Sequence, residues 1–204
     1  MNKEEYKINA ISPIDGRYSD KCNPLSDYFS EFALIKYRVF VEIQYFTELA
    51  NIPLPQLKEL TDNDKKNIEN ISKKFSTEDA LRVKNIEKDI NHDVKAVEYF
   101  IKEEFDKINL SKYKEFIHFG LTSQDINNTA VPLMLKGSIN KVIMPSFVKV
   151  QKLINTMSKS LKNIPMIART HGQPATPTTF GKEFNVFEER LINQIETLTS
   201  IQNN

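Results

Sequence analysis

From Ser26 to Ala50 the chain runs for about seven helical turns without a proline or a glycine, with Phe29, Phe32, Leu34, Val39, Phe40, Ile43, Phe46 and Leu49 forming a wide apolar stripe. A run of that length and period leaves no room for a sheet in this region, and Pro53 and Pro55 end it. The signal recurs downstream. Two shorter segments open on capping boxes, Thr61 with Asp64 and Ser76 with Asp79, in which a carboxylate reaches back to a free backbone N–H. Val94, Val97, Ile101 and Phe105 mark a further helix, and Ser111 closes this mixed region. Thr122 and Asp125 form another box. From Ser123 to Leu161 only Pro132, Gly137 and Pro145 interrupt, which predicts one long helix, kinked or briefly broken there.

Thr176 followed by Pro177 reads as an N-cap and first helical residue, after which Phe180, Phe184, Phe187, Leu191, Ile195 and Leu198 make a narrow seam suited to a bundle. Five glycines in 204 residues, against a usual share near ~7%, fit the same picture. The expected fold is all-α, with an N-terminal mixed helical domain over 1–111 and an incomplete domain of long bundle helices over 112–204. The last helix still runs at Asn204 without a glycine cap, so the polypeptide is expected to be part of something longer.

Charge and cysteine content narrow the function. Twenty-eight Lys and Arg against 27 Asp and Glu leave a formal net charge of +1, which argues against broad binding to nucleic acid or to an acidic membrane surface. A lone Cys22 supplies no intramolecular disulfide, cysteine zinc site or CxxC pair, so a reducing, cytoplasmic setting is expected. Met1–Ile14 lacks the apolar core of a signal peptide, and no stretch approaches the roughly 18 consecutive apolar residues of a membrane span.

All three histidines fall in short segments unlike the amphipathic runs around them. In Asn91-His92-Asp93, Asp93 can cap the following helix, while His92 at a helix start can meet a phosphate or ribose. His118, among aromatics, reads as a satisfied core residue. Next to it, Thr122 and Ser123 offer two hydroxyls and free N–H groups at a helix mouth, a cradle for a carboxylate, although plain capping explains at least one of them. His171 lies in the polar loop Arg169–Pro177 among small and polar neighbours, where an imidazole can exchange protons near neutral pH. A fourth segment, Ser12–Tyr18, sets Arg17 beside Tyr18, suited to gripping phosphate or simply a surface turn. There is no HExxH, P-loop, GxGxxG or GxSxG pattern, so no metal site is expected and metallopeptidase, nucleoside triphosphatase, dinucleotide and serine-hydrolase readings lack support.

The stretches SPIDGRY at 12–18, NHDVKAVEYF at 91–100, EFIHFGLTSQDINN at 115–128 and RTHGQPATPTTFGKE at 169–183 resemble the adenylosuccinate lyases, a branch of the fumarase/aspartase superfamily. The resemblance implies the first long helices of that superfamily's bundle. It also implies β-elimination of fumarate from succinylated purine nucleotides, adenylosuccinate giving AMP and a succinylated carboxamide ribotide reacting alike, without a cofactor or a metal. By position it makes His171 the general acid, and it sets Thr122, Ser123 and Thr170, with Gln173 nearby, on the succinyl carboxylates. Arg17, Tyr18, Asn91, His92 and Asp93 would hold the phosphate and ribose end; His118 receives no role. The family is a homotetramer and carries an SSxMPxKxNP-like loop with the serine base. Nothing in residues 1–204 matches that loop, so the chain alone is expected to be inactive. Another lyase of the superfamily and a non-catalytic helical assembly module are the alternatives.

Overall fold

The computed structural model describes residues 2–202, and the chain divides into two compact units, Met1–Gly137 and Ser138–Asn204. Compactness thus divides the chain inside a helical run. In the first unit, short helices α1 (Lys3–Asn9), α2 (Ser19–Cys22) and α3 (Ser26–Phe29) lead into α4 (Glu31–Asn51), α5 (Asp62–Lys73), α6 (Thr77–Ile90), α7 (Asp93–Lys107) and α8 (Ser123–Ser138). The boxes expected at Thr61 and Ser76 both form, each hydroxyl accepting from the third residue's N–H and each carboxylate returning to the cap. The single helix expected from Ser26 is in fact two. Ser30, extended at φ −76° and ψ 162°, accepts from the Ala33 N–H and starts α4 afresh, since its hydroxyl competes with the helix ladder as a cap.

One apolar core is built where α4 meets α7. Val39, Ile43 and Phe46 pack with Val97, Phe100, Ile101 and Phe105, all at 1% exposure or less. Phe46 and Phe105 meet edge to face at 4.9 Å, and Phe75 and Phe100 do so at 5.6 Å. Phe29 and Phe40, part of the expected stripe, stand 49% and 39% exposed instead, because the buried face is narrower than the stripe.

The second unit begins where the helical backbone continues from α8 through a π-helical turn at Ile139–Ile143 into α9 (Met144–Ser160), with Pro145 in its first turn. The expected interruption is therefore a π turn ahead of Pro145, while Pro132 is accommodated inside α8. An antiparallel hairpin follows, β1 (Pro165–Thr170) and β2 (Gln173–Thr179), and then α10 (Phe180–Gln202). The loop expected over Arg169–Pro177 and the helix start expected at Thr176 are corrected by this hairpin. Pro177 sits opposite Ile167 in the ladder, and the Thr179 hydroxyl, not that of Thr176, accepts from a first-turn N–H, that of Lys182. A proline at the first helical position and a proline in a short two-stranded edge look alike in sequence; pairing with β1 decides between them. The uncapped end expected at Asn204 lies outside the described residues.

α9 and α10 run antiparallel. The Ser158 hydroxyl donates to the Gly181 carbonyl at 3.0 Å, and the amides of Gln151 and Asn155 donate to Glu188 Oε1 at 2.5 and 2.7 Å. Gly181 is required by this approach: a Cβ there would lie 2.3 Å from the Ser158 carbonyl oxygen and 2.4 Å from Lys162 Cα. Among the described residues no helix is long and apolar enough to cross a membrane.

Candidate active site

The Ser12–Tyr18 segment folds as successive turns closed by the Gly16 and Tyr18 N–H groups, which donate to the Ser12 and Pro13 carbonyls. This sets the Arg17 guanidinium 5.5 Å from the centroid of the Tyr18 ring, a cation over an aromatic face. Both side chains are exposed and line a cleft of about 740 Å³ together with Lys7, Ala10, Ser12 and Pro13. Lys7 is not a free cation there, since it pairs with Asp20 at 2.6 Å and Glu4 at 3.5 Å.

Asn91, His92 and Asp93 form the corner between α6 and α7. Asn91 ends α6 in the left-handed region at φ 53°, a conformation asparagine tolerates. Capping of α7 falls to His92, whose Nδ1 accepts from the Lys95 N–H at 3.1 Å, and not to Asp93 as expected. With Nδ1 engaged as an acceptor, the ring's Nε2–H is the group left to meet a ligand. Asp93 is committed elsewhere: Oδ1 accepts from the Val94 N–H at 2.8 Å and Oδ2 meets Arg38 Nη2 at 2.7 Å. Burial acts to raise its pKa, but the Val94 N–H and the Arg38 charge outweigh it and hold the carboxyl below its ordinary range.

At the mouth of α8 the Thr122 N–H and hydroxyl both donate to Asp125 Oδ2, at 2.7 and 2.9 Å. The carboxylate half of the expected box is present. The hydroxyl donates to that carboxylate instead of accepting from its N–H, because one charged oxygen attracts both donors. Asp125, held below the usual carboxylate range by those bonds, thus engages both donors of Thr122, which is exposed, while Ser123 beside it is half-buried. Beside this mouth lies a largely apolar cavity of about 470 Å³ lined by Phe40, Val41, Tyr45, Leu121 and Ile126.

Two buried polar groups on α4 escaped the sequence reading. Arg38, 7% exposed, donates through Nε to Asn127 Oδ1 at 2.9 Å in addition to its bond with Asp93. Glu42, 1% exposed, has its Oε1 2.5 Å from His118 Nδ1, while its buried Oε2 lacks a partner. Burial pushes the Glu42 carboxyl up and the His118 ring opposes the shift. His118 itself adopts φ 61°. The available signal was the pair Arg38 and Glu42, four residues apart and interleaved with Val39 and Ile43 on the inward face.

Thr170, His171, Gly172 and Gln173 belong to the second unit and make the hairpin tip. Thr170 pairs with Gln173, and the two residues between them both have positive φ, 48° at His171 and 77° at Gly172, as a type I′ turn requires. Glycine takes that conformation freely; histidine does so at a cost. His171 is held at the apex of a paired, bulged ribbon, exposed, with Thr170 and Gln173 on either side. Among the described residues no group of three His, Cys, Asp or Glu side chains is arranged to hold a metal ion.

Comparison with known proteins adds a second line. A family model described as "Lyase" matches residues 16–204. The adenylosuccinate lyase of Dictyostelium discoideum is 54% identical over 94% of this chain, and those of Legionella pneumophila (strain Corby) and Escherichia coli (strain K12) are 45% and 43% identical over 95%. The chain spans 42–44% of the length of these relatives. Among solved structures, a fumarate lyase from Mesorhizobium sp. BNC1 aligns at TM-score 0.70 with 21% identity, covering 88% of this chain and 40% of that one. A 3-carboxy-cis,cis-muconate lactonizing enzyme from Pseudomonas putida aligns at TM-score 0.69 with 16% identity, over 87% of this chain and 39% of its own. These two share the fold. With a family match over nearly its whole length and relatives at this level of identity, the chain belongs to the lyase family.

Proposed function

We propose that this chain supplies the acid-bearing part of an adenylosuccinate lyase. The observation that carries the reading is 54% identity, over 94% of this chain, to a relative of that name. In the reaction the bond between the succinyl carbon and the purine nitrogen breaks, a base removes the proton from the adjacent carbon, and the electron pair forms the double bond of fumarate. His171 protonates the departing nitrogen. Its exposed imidazole at a strained turn supports that role. Ser123, Thr122 and Thr170 hold the succinyl carboxylates with Gln173 nearby, and Arg17, Tyr18, Asn91, His92 and Asp93 hold the phosphate and ribose. No cofactor or metal takes part. The base is not among residues 1–204, so the chain alone is silent. The working protein is a cytoplasmic homotetramer in which residues 112–204 form part of the central bundle domain. The exposed apolar side chains of α9 and α10, Leu153 at 61% and Phe187 at 60%, support association with other copies.

The test joins residues 1–204 to the C-terminal portion of the Dictyostelium relative and follows adenylosuccinate by its absorbance and by fumarate release. Turnover is expected, falling by about 10²–10⁴-fold in His171→Ala. Turnover indifferent to that change would overturn the acid assignment. Complete silence of the joined protein, with the same helices still self-associating, would favour an assembly module, the reading to which the exposed face of α9 and α10 also lends itself.

A further inference from the structure

Arg38 is buried on the inward face of α4, and a guanidinium in that position is tolerated only when its donors are matched. Its two bonds go to different elements. Nη2 reaches Asp93 at 2.7 Å in the first turn of α7, and Nε reaches Asn127 at 2.9 Å in the second turn of α8. Asp93 is fixed from its other side by the Val94 N–H, and Asn127 lies one turn beyond Ser123 on the same face of its helix. A planar guanidinium with partners at Nε and Nη2 sets both a distance and an angle between them. Positions 38, 93 and 127, remote in sequence, thus meet at one side chain.

We propose that Arg38 is a positioning residue, a strut that fixes the spacing between the Asn91–Asp93 corner and the Thr122–Ser123 helix mouth. The inference rests on the function proposed above, in which the first segment takes the nucleotide end of the substrate and the second a succinyl carboxylate. Arg38 touches neither. It holds the two grips at the separation the substrate spans, and a shift of about 1 Å in such a spacing can cost as much as ~10²-fold in rate. Lysine cannot replace it, because an ammonium is a point charge that reaches one partner without orienting the other.

Two measurements decide this. In the 204-residue chain, followed by amide NMR, Asp93→Asn is expected to move the resonances of residues 123–127, and to stop moving them when Arg38→Met is present. Resonances that stay still, or that move equally in both backgrounds, overturn the strut. In the joined protein, Arg38→Lys is expected to raise KM for adenylosuccinate by about tenfold with a smaller fall in kcat. A lowered melting temperature with KM unchanged reduces Arg38 to a structural role and overturns the proposal. If the unsubstituted joined protein is silent, the lyase reading fails and Arg38's part in the reaction fails with it; the NMR result then still decides whether the mechanical link exists.

Discussion

The two compact units bury very different things. In Met1–Gly137, aromatic and branched side chains close around α4 and α7, and the largest of them, Phe46, Phe100 and Phe105, are at most 1% exposed. In Ser138–Asn204, the buried residues among those described are Ser138, Ser158, Gly181 and Glu188, none of them a large apolar group. Burial of each phenylalanine contributes about 1.5–3 kcal/mol, so the first unit has its own driving force to fold. The second is held by backbone proximity at Gly181, a paired hairpin and a buried carboxylate with two amides. The apolar driving force is therefore concentrated in the first unit, whereas the second, with apolar side chains of α9 and α10 still exposed, carries His171 at its hairpin tip.

The largest effect should come from attacking that contrast directly. Phe105→Ala is expected to lower the stability of the chain by about 3–5 kcal/mol in urea unfolding, through lost burial and a cavity beside Phe46. Phe187→Ala, at a 60% exposed site, should change it by less than about 0.5 kcal/mol when measured where the chain sediments as a monomer. Equal losses would break the comparison. A mid-sized effect is expected from Gly181→Ala, whose methyl group must displace the Ser158 carbonyl or the Lys162 backbone. A cost of about 1–3 kcal/mol is expected, with faster amide exchange confined to α9, the hairpin and α10. Spread of that exchange into α4 and α7 would mean that the units do not open separately.

The smallest effect concerns pH. The Glu42 carboxyl is raised by burial above its ordinary value of 4.5, so it favours the folded state most fully at pH below that value and loses the contribution as pH rises through its folded value. Glu42→Gln should therefore compare best with the parent chain at neutral pH and worst in acid. A stability difference that stays constant between pH 4 and pH 7 would show that burial does not shift this group.

Much of this could be read from the chain in advance because it is local. Caps at Thr61 and Ser76 and the apolar spacing of α7 depend on residues three or four positions apart, and the structure forms them as read. His171 stood out because small and polar neighbours surround it in sequence. The hairpin beneath it did not, since Pro174 and Pro177 argue against a strand until β1 supplies the pairing that makes the strand hold. The cap on α7 is decided by a distant residue in the same way: Asp93 is a good cap in isolation, but Arg38 pairs with its carboxylate and His92 caps the helix instead.

Local patterns along the chain were enough for the long helical stretches, the caps at Thr61 and Ser76, the four unusual segments and the family they resemble. Tertiary structure alone decided that Arg38 joins Asp93 to Asn127 and that Glu42 meets His118. Separations of 55, 89 and 76 residues lie between those partners, and no local pattern reports them. A buried charge needs a counterpart wherever the packing of three helices happens to bring one, and that meeting exists only in the folded chain.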